Sequence, residues 1–465
     1  MLFFLNFLLF ASLILTFYFF NLKKFNLLIF YTVNVILILY SAYNYINIQN
    51  ILVKEFSPFY NDPISIYLIF LTALISITCG FWITNSTFWK EMIVIILITE
   101  VCLLQIFSTK NLLNFYIFFE LSALPLMYLI TVRGPTFRRS VAFKYFLGYT
   151  LLGSIFFFIG LSIIFISFKT INLQAINLNE LNNTTKTIVW LCFLLTFFVK
   201  IPVLPFHLWL LEAHVEAPTM GSVILAALLL KIGGYGLIRF CICLFPEVSF
   251  YWSPIIIGIT ILSALYSSFS AFIQLDAKRI IAYSSIAHMN IGVAGLFSFD
   301  FSAIYGSIIN MLAHGYTSAG LFFLIGMLYK RFHTKNIIYY SGLANFLPIF
   351  HFFLFFFIFS NVAFPGTFNF VCELLILFGL NSWSSFLCFV FLITNGILFL
   401  YCVLLLTKIC YSEVNSFFTE LIDLNKYETL ILTILVFLTL LFGIFPEFFL
   451  KNLEYSIKIL YLKLR

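Results

Sequence analysis

An all-α polytopic membrane protein of about 14 transmembrane helices, folded as one domain, is what this sequence predicts. Three observations carry that expectation. Of 465 residues, 63% are hydrophobic and only 9% are charged, against roughly 25% charged in soluble proteins. Mean hydropathy is +1.09. The apolar residues also form long continuous runs instead of alternating with polar ones. Too few polar groups remain to cover a water-facing surface, which excludes a soluble globular protein. A disordered or fibrous chain would need low hydrophobicity or a short repeat. A closed β-barrel would need strands that alternate polar and apolar residues.

A membrane-spanning helix takes about 20 apolar residues. Runs of that character fall at 2–20, 25–45, 64–86, 92–108, 111–131, 141–168, 187–209, 219–245, 254–273, 280–299, 302–328, 346–380, 383–408 and 429–450. The first has no basic start and no cleavage site after it, so it reads as a helix and not as a signal peptide. Connections are mostly short, and none looks like an interdomain linker. The expected division is three opening helices in 1–90, a first repeat in 91–245, a second in 254–408, and a last helix with its tail in 409–465.

Charge placement supports the count. Loops after odd-numbered helices hold thirteen Lys and Arg, and loops after even-numbered ones hold four. A missed helix would scramble that bias. It places both termini on the side away from the cytoplasm or matrix, although the basic C-terminal tail (Lys451, Lys458, Lys463, Arg465) runs against it. No basic cluster interleaved with aromatics points to nucleic acid. The nine cysteines form no C-x-x-C pair and no metal-ligand spacing with His, and they read as small buried hydrophobes. No catalytic triad spacing, dinucleotide fingerprint or phosphate loop is present.

The informative residues are the ionisable groups inside the runs. Each costs about 2.5–3.5 kcal/mol at the bilayer centre, and such groups persist when paired or when they line a wet path. Glu120 sits mid-run in FYIFFELSALPLMYLI. Lys200 ends WLCFLLTFFVK and is followed by Pro202 and Pro205, which predicts a broken helix at membrane depth. Lys231 lies about a dozen residues into SVILAALLLKIGGYGLIRF, too deep to reach the interface, beside Gly233, Gly234 and Gly236. His288 and His314 sit among Tyr283, Ser284, Ser285, Thr317 and Ser318. Glu373 follows Pro365-Gly366 in a second interrupted helix, five helices after the first. Two interrupted helices at matching places point to inverted five-helix repeats, helices 4–8 and 9–13, with helices 7 and 12 broken. Glu100 and Lys144 have less defined roles, and Arg239 reads as an interfacial anchor. Against each stands a structural alternative: a neutral buried acid, a snorkelling lysine, or a satisfied core histidine. Taken together, these groups suit proton transfer rather than bond-making catalysis.

At these residues the sequence resembles the chain 4 family of respiratory NADH–ubiquinone oxidoreductase (complex I), antiporter-like membrane-arm subunits. The match rests on KIPVLPFHLWLLEAHVEAPTMGSVILAALLLKIGGYGLIR (200–239), FYIFFELSALPLMYL (115–129), LDAKRIIAYSSIAHMNI (275–291), NMLAHGYTSAGLFFL (310–324) and FPGTFNFVCELLIL (364–377). The first hundred and last sixty residues match only in hydropathy. The resemblance implies a pair between Glu120 and Lys200, then a relay through Lys231, His288 and His314 to Glu373. It implies a subunit of a proton-translocating NADH:ubiquinone reductase that binds no cofactor itself, with FMN, Fe–S clusters and ubiquinone held elsewhere in the complex. Implied partners are other membrane-arm subunits, especially the chain 2 and chain 5 antiporter-like ones, and lipids. The AT-rich residue usage fits an organellar gene, hence a multi-pass protein of the mitochondrial inner membrane with both termini facing the intermembrane space. Two rival readings are a cation/proton antiporter subunit outside complex I and a purely structural arm component.

Overall fold

The computed structural model describes residues 12, 23–51, 62–84, 88–135, 138–173, 181–413 and 421–462. The first expected helix, 2–20, therefore lies outside the described residues apart from Ser12. The elements run α1 (Lys23–Ile51), α2 (Pro63–Ile83), α3 (Trp89–Ser108), α4 (Leu112–Leu121), α5 (Leu124–Arg133), α6 (Arg139–Phe168), α7 (Asn183–Lys200), α8 (Leu208–Glu216) and α9 (Thr219–Ile242). They continue as α10 (Pro246–Ile273), α11 (Ala277–Phe297), α12 (Phe301–Phe332), α13 (Pro348–Asn361), α14 (Phe368–Trp383), α15 (Ser385–Tyr411), α16 (Lys426–Ile444) and α17 (Glu447–Leu462). Among the described residues there is no strand, and eleven helices are long and apolar enough to cross a membrane.

Helix starts follow local chemistry. Pro63, Pro246 and Pro348 open α2, α10 and α13, where a missing N–H costs nothing. Asp300 accepts from Ser302 N–H at 2.9 Å to start α12. Asn425 and Glu428 form a capping box on α16.

Three of the apolar runs are divided, the seventh and twelfth as expected and the fifth not. The fifth becomes α4 and α5, parted at Ser122–Ala123. Pro125 has no N–H to offer the carbonyl of Leu121, so the ladder fails one turn after Glu120. Glu120 thus sits at a helix end, where its carbonyl accepts from Ala123 N–H at 3.1 Å. The seventh breaks between Lys200 and Leu208, and the twelfth between Asn361 and Phe368, as the prolines predict. Ala363 (φ 60°) and Gly366 (φ 91°) adopt left-handed conformations in the second break. Gly443 of α16 lets the backbone of Gly366 approach, since a Cβ there would meet Gly366 O at 2.3 Å. The eighth run stays continuous but widens into π turns at Leu225–Leu229 and Leu237–Ile242.

Burial sorts the helices. The most apolar windows of α9, α11 and α12 are wholly buried, whereas α6 and α16 bury only a third of theirs. The first three form the centre, and the others present Phe, Leu and Ile outward, as a bilayer requires. The glycines of α9 allow this density. A Cβ on Gly233 would lie 2.5 Å from Ile201, one on Gly234 2.5 Å from Met311, and one on Gly236 2.1 Å from the Phe197 ring. Phe197 cannot yield, because Phe115, Phe157 and Phe240 pack around it. Gly236→Val is expected to cost about 1–3 kcal/mol by overpacking and to lower the amount of assembled complex on native gels. Gly258→Ala, which meets nothing within 4 Å, should assemble normally.

Candidate functional site

The first break builds one end of the site. α7 stops at Lys200, Ile201 is extended, and Leu204–Pro205 is a cis peptide. The carbonyls that the break frees find partners. Trp209 Nε1 donates to Val199 O at 2.9 Å, and Asn290 of α11 donates to Pro202 O at 3.4 Å. Irregular backbone at membrane depth is tolerated on those terms. Lys200 is 3% exposed, and its Nζ lies 4.5 Å from the centre of the Phe119 ring. Glu120, next in sequence, is half-buried beside Ser154 on α6. The two charges act on each other through space, but among the described residues Lys200 closes no ion pair.

The second group is in contact. Lys231, fully buried, donates from Nζ to Ala226 O at 2.7 Å and lies 3.0 Å from His314 Nδ1. The π turn at Leu225–Leu229 falls where that carbonyl is used, as such turns often do at working sites. The His314 and His288 ring centres are 5.6 Å apart. His288 Nδ1 lies 3.1 Å from Glu373 Oε1, off the line of a good hydrogen bond. Glu373 Oε2 accepts from Asn395 Nδ2 at 2.8 Å. Asn310 Nδ2 donates to His288 O at 2.8 Å and pins that turn of α11. Four of the six residues expected from sequence thus form one buried line across α9, α12, α11 and α14. Glu120 and Lys200 form a separate group on α4 and α7.

Sequence reasoning missed two imidazoles. His207 stands just before α8 and His214 lies within it, both buried, with no hydrogen-bond partner on any ring nitrogen. His214 stacks on Phe322 with ring centres 4.5 Å apart, and Lys231, Lys278 and His314 all act on it electrostatically. The signal was their spacing of seven, which puts both on one helix face. His207 fell at the end of the seventh run, and Glu212, Glu216 and Pro218 made the stretch holding His214 read as a loop.

Two lysines that the sequence assigns to topology have structural work. Lys278 Nζ donates to Ala217 O at 2.7 Å, and Lys335 Nζ donates to Val215 O at 2.6 Å while lying 3.5 Å from Glu216. They cap the carbonyl end of α8, where cations are favoured. Burial pushes the Lys335 ammonium below its ordinary value, and Glu216 restores part of the difference.

The less defined residues also find places. Glu100 is buried mid-helix in α3, its Oε1 3.3 Å from Ser76 Oγ. Arg239 is buried and bonded to Asp62 at the start of α2, a closer tie than an interfacial anchor. Lys144 is exposed along an apolar groove that Pro205 and Phe206 complete. No grouping of His, Cys, Asp and Glu among the described residues could hold a metal.

Residues 109–399 match the family model for the NADH:quinone oxidoreductase/Mrp antiporter membrane region. The chain is similar to NADH-ubiquinone oxidoreductase chain 4 of Chondrus crispus, 39% identical over 86% of this chain and 83% of that one. It is similar to NADH-quinone oxidoreductase subunit M of Rickettsia felis, 38% identical over 86% and 82%. In structure it resembles a chain of respiratory complex I from Thermus thermophilus with bound NADH. That match has a TM-score of 0.81 at 27% identity and covers 87% of this chain and 85% of the other.

Proposed function

Because the chain belongs to the chain 4 and subunit M family of NADH:quinone oxidoreductases, we propose that it carries protons across the membrane on a relay of its own side chains. The redox chemistry that drives the relay, with FMN, Fe–S clusters and ubiquinone, would belong to other subunits. One observation carries the reading: Lys231, His314, His288 and Glu373 stand in a buried line, with 3.0 Å and 3.1 Å contacts at its two ends.

The chemistry follows from that spacing. Two unit charges 4 Å apart repel by about 4 kcal/mol at an effective dielectric of 20. Lys231 and His314 therefore hold one mobile proton between them. Lys231 Nζ passes it to His314 Nδ1 when that nitrogen is bare. The 5.6 Å between ring centres needs a ring swing or one water before His288 receives it. Glu373 then takes it from His288 Nδ1, with Asn395 steadying the second carboxylate oxygen. Glu120 sets the electrostatics of Lys200, so a change at Glu120 would drive the sequence from the far end. His214, beside Lys231, is placed to reload it.

The same reading makes α7–α8 and α13–α14 counterparts in two inverted repeats, 91–245 and 254–408. It also makes the chain 2 and chain 5 subunits the neighbours, the mitochondrial inner membrane the location, and the intermembrane space the side of both termini. Glu120→Gln tests the drive. In the reconstituted complex, the proton-to-electron ratio is expected to fall by this chain's share while assembly holds. An assembled variant that pumps at the wild-type ratio would overturn the scheme.

A further inference from the structure

Three polar side chains meet at mid-helix on α1, α2 and α3, away from the relay. Asn34, Ser76 and Glu100 are 0%, 3% and 2% exposed. Asn34 Nδ2 donates to Phe30 O at 3.0 Å, which fixes the amide, since the flipped group would set two oxygens against each other. Its Oδ1 therefore faces the Ser76 hydroxyl. Ser76 Oγ is also 2.8 Å from Ala73 O and 3.3 Å from Glu100 Oε1.

Hydrogen counting, burial and the engagement of nearby charges together set the state of Glu100. Ser76 contacts three acceptor oxygens and owns one hydroxyl proton. A carboxylate would add acceptors and no donor, whereas a carboxylic acid supplies a second hydrogen. Glu100 Oε2 closes no hydrogen bond of its own, and the Asn34 amide acts on the carboxyl from beside it. Among the described residues, the charged groups on α3 and on the helices packed against it are engaged elsewhere: Asp62 with Arg239, Glu91 with Arg133, Lys90 over the Trp89 ring, and Glu120 beside Ser154 and Lys200. A buried carboxylate with no cation is far costlier than its neutral form.

We propose that Asn34, Ser76 and Glu100 form a second proton-binding site, in which Glu100 holds a resident proton and donates it to Ser76. Neutral hydrogen bonds then join α1, α2 and α3, and Glu100 stays outside the relay. The site stands whether or not the relay does.

Glu100→Gln copies the neutral acid in shape and donor. In the intact complex it is expected to remove one protonated-carboxyl infrared band that persists in wild type at neutral and alkaline pH. The proton-to-electron ratio should stay unchanged. Loss of no band, a wild-type band that fades as pH rises through neutrality, or a fall in pumping with NADH oxidation retained would each overturn the proposal. If Glu100→Gln fails to assemble, Ser76→Ala reads the same group. Loss of the acceptor should shift that band to higher frequency, and an unshifted band overturns the proposal.

Discussion

Lys231→Ala is expected to slow coupled NADH:quinone turnover about 100-fold, the lower end of what a positioned proton-transfer group contributes. The complex should still assemble. Lys231 makes two hydrogen-bonding contacts, to Ala226 O and His314 Nδ1. Removing it leaves one carbonyl and one imidazole nitrogen unpartnered, a cost of about 1–3 kcal/mol each. That is a small part of the stability of α9, which is buried on all sides. Turnover and quantity of complex measured together separate the two effects. Equal loss of both would mean that Lys231 serves packing alone.

Glu373→Gln should act at the other end of the line with a loss of similar size. His288 would have no carboxylate to receive its proton, because a glutamine amide cannot take one. The pair also allows a coupling measurement. His288 Nδ1 and Glu373 Oε1 are 3.1 Å apart and buried, so His288→Gln and Glu373→Gln should not add. The double variant is expected to pump as poorly as either single one. Additive losses would place the two residues on separate paths.

Much of this was legible in the sequence because charge inside a bilayer is expensive. Lys200, Lys231 and Glu373 stood out for that reason, and Pro202, Pro205 and Pro365 announced the two breaks. The family motifs lie on the same residues. What escaped was set by contacts distant in sequence or by backbone geometry. No hydropathy pattern marks the π turn that brings Ala226 O to Lys231. Lys278 looked like a topology residue until α8 folded back onto it. His214 was hidden by Glu212 and Glu216, whose charges disguise a short half-helix as a loop. The state of Glu100 depends on Asn34 and Ser76, which lie 66 and 24 positions earlier. The open spacing of Glu120 and Lys200 was equally unreadable, because it follows from the fold of α4 onto α7.

A proton path joining both groups has to cross from Lys200 on α7 to Lys231 on α9. An experimental map of the intact complex, fine enough to show ordered water, tests it most directly. A continuous file of water along the mid-membrane plane from Glu120 past Lys200, Lys231 and the two histidines to Glu373 is the expected result. A dry stretch of packed side chains between Lys200 and Lys231, or between His314 and His288, would contradict it.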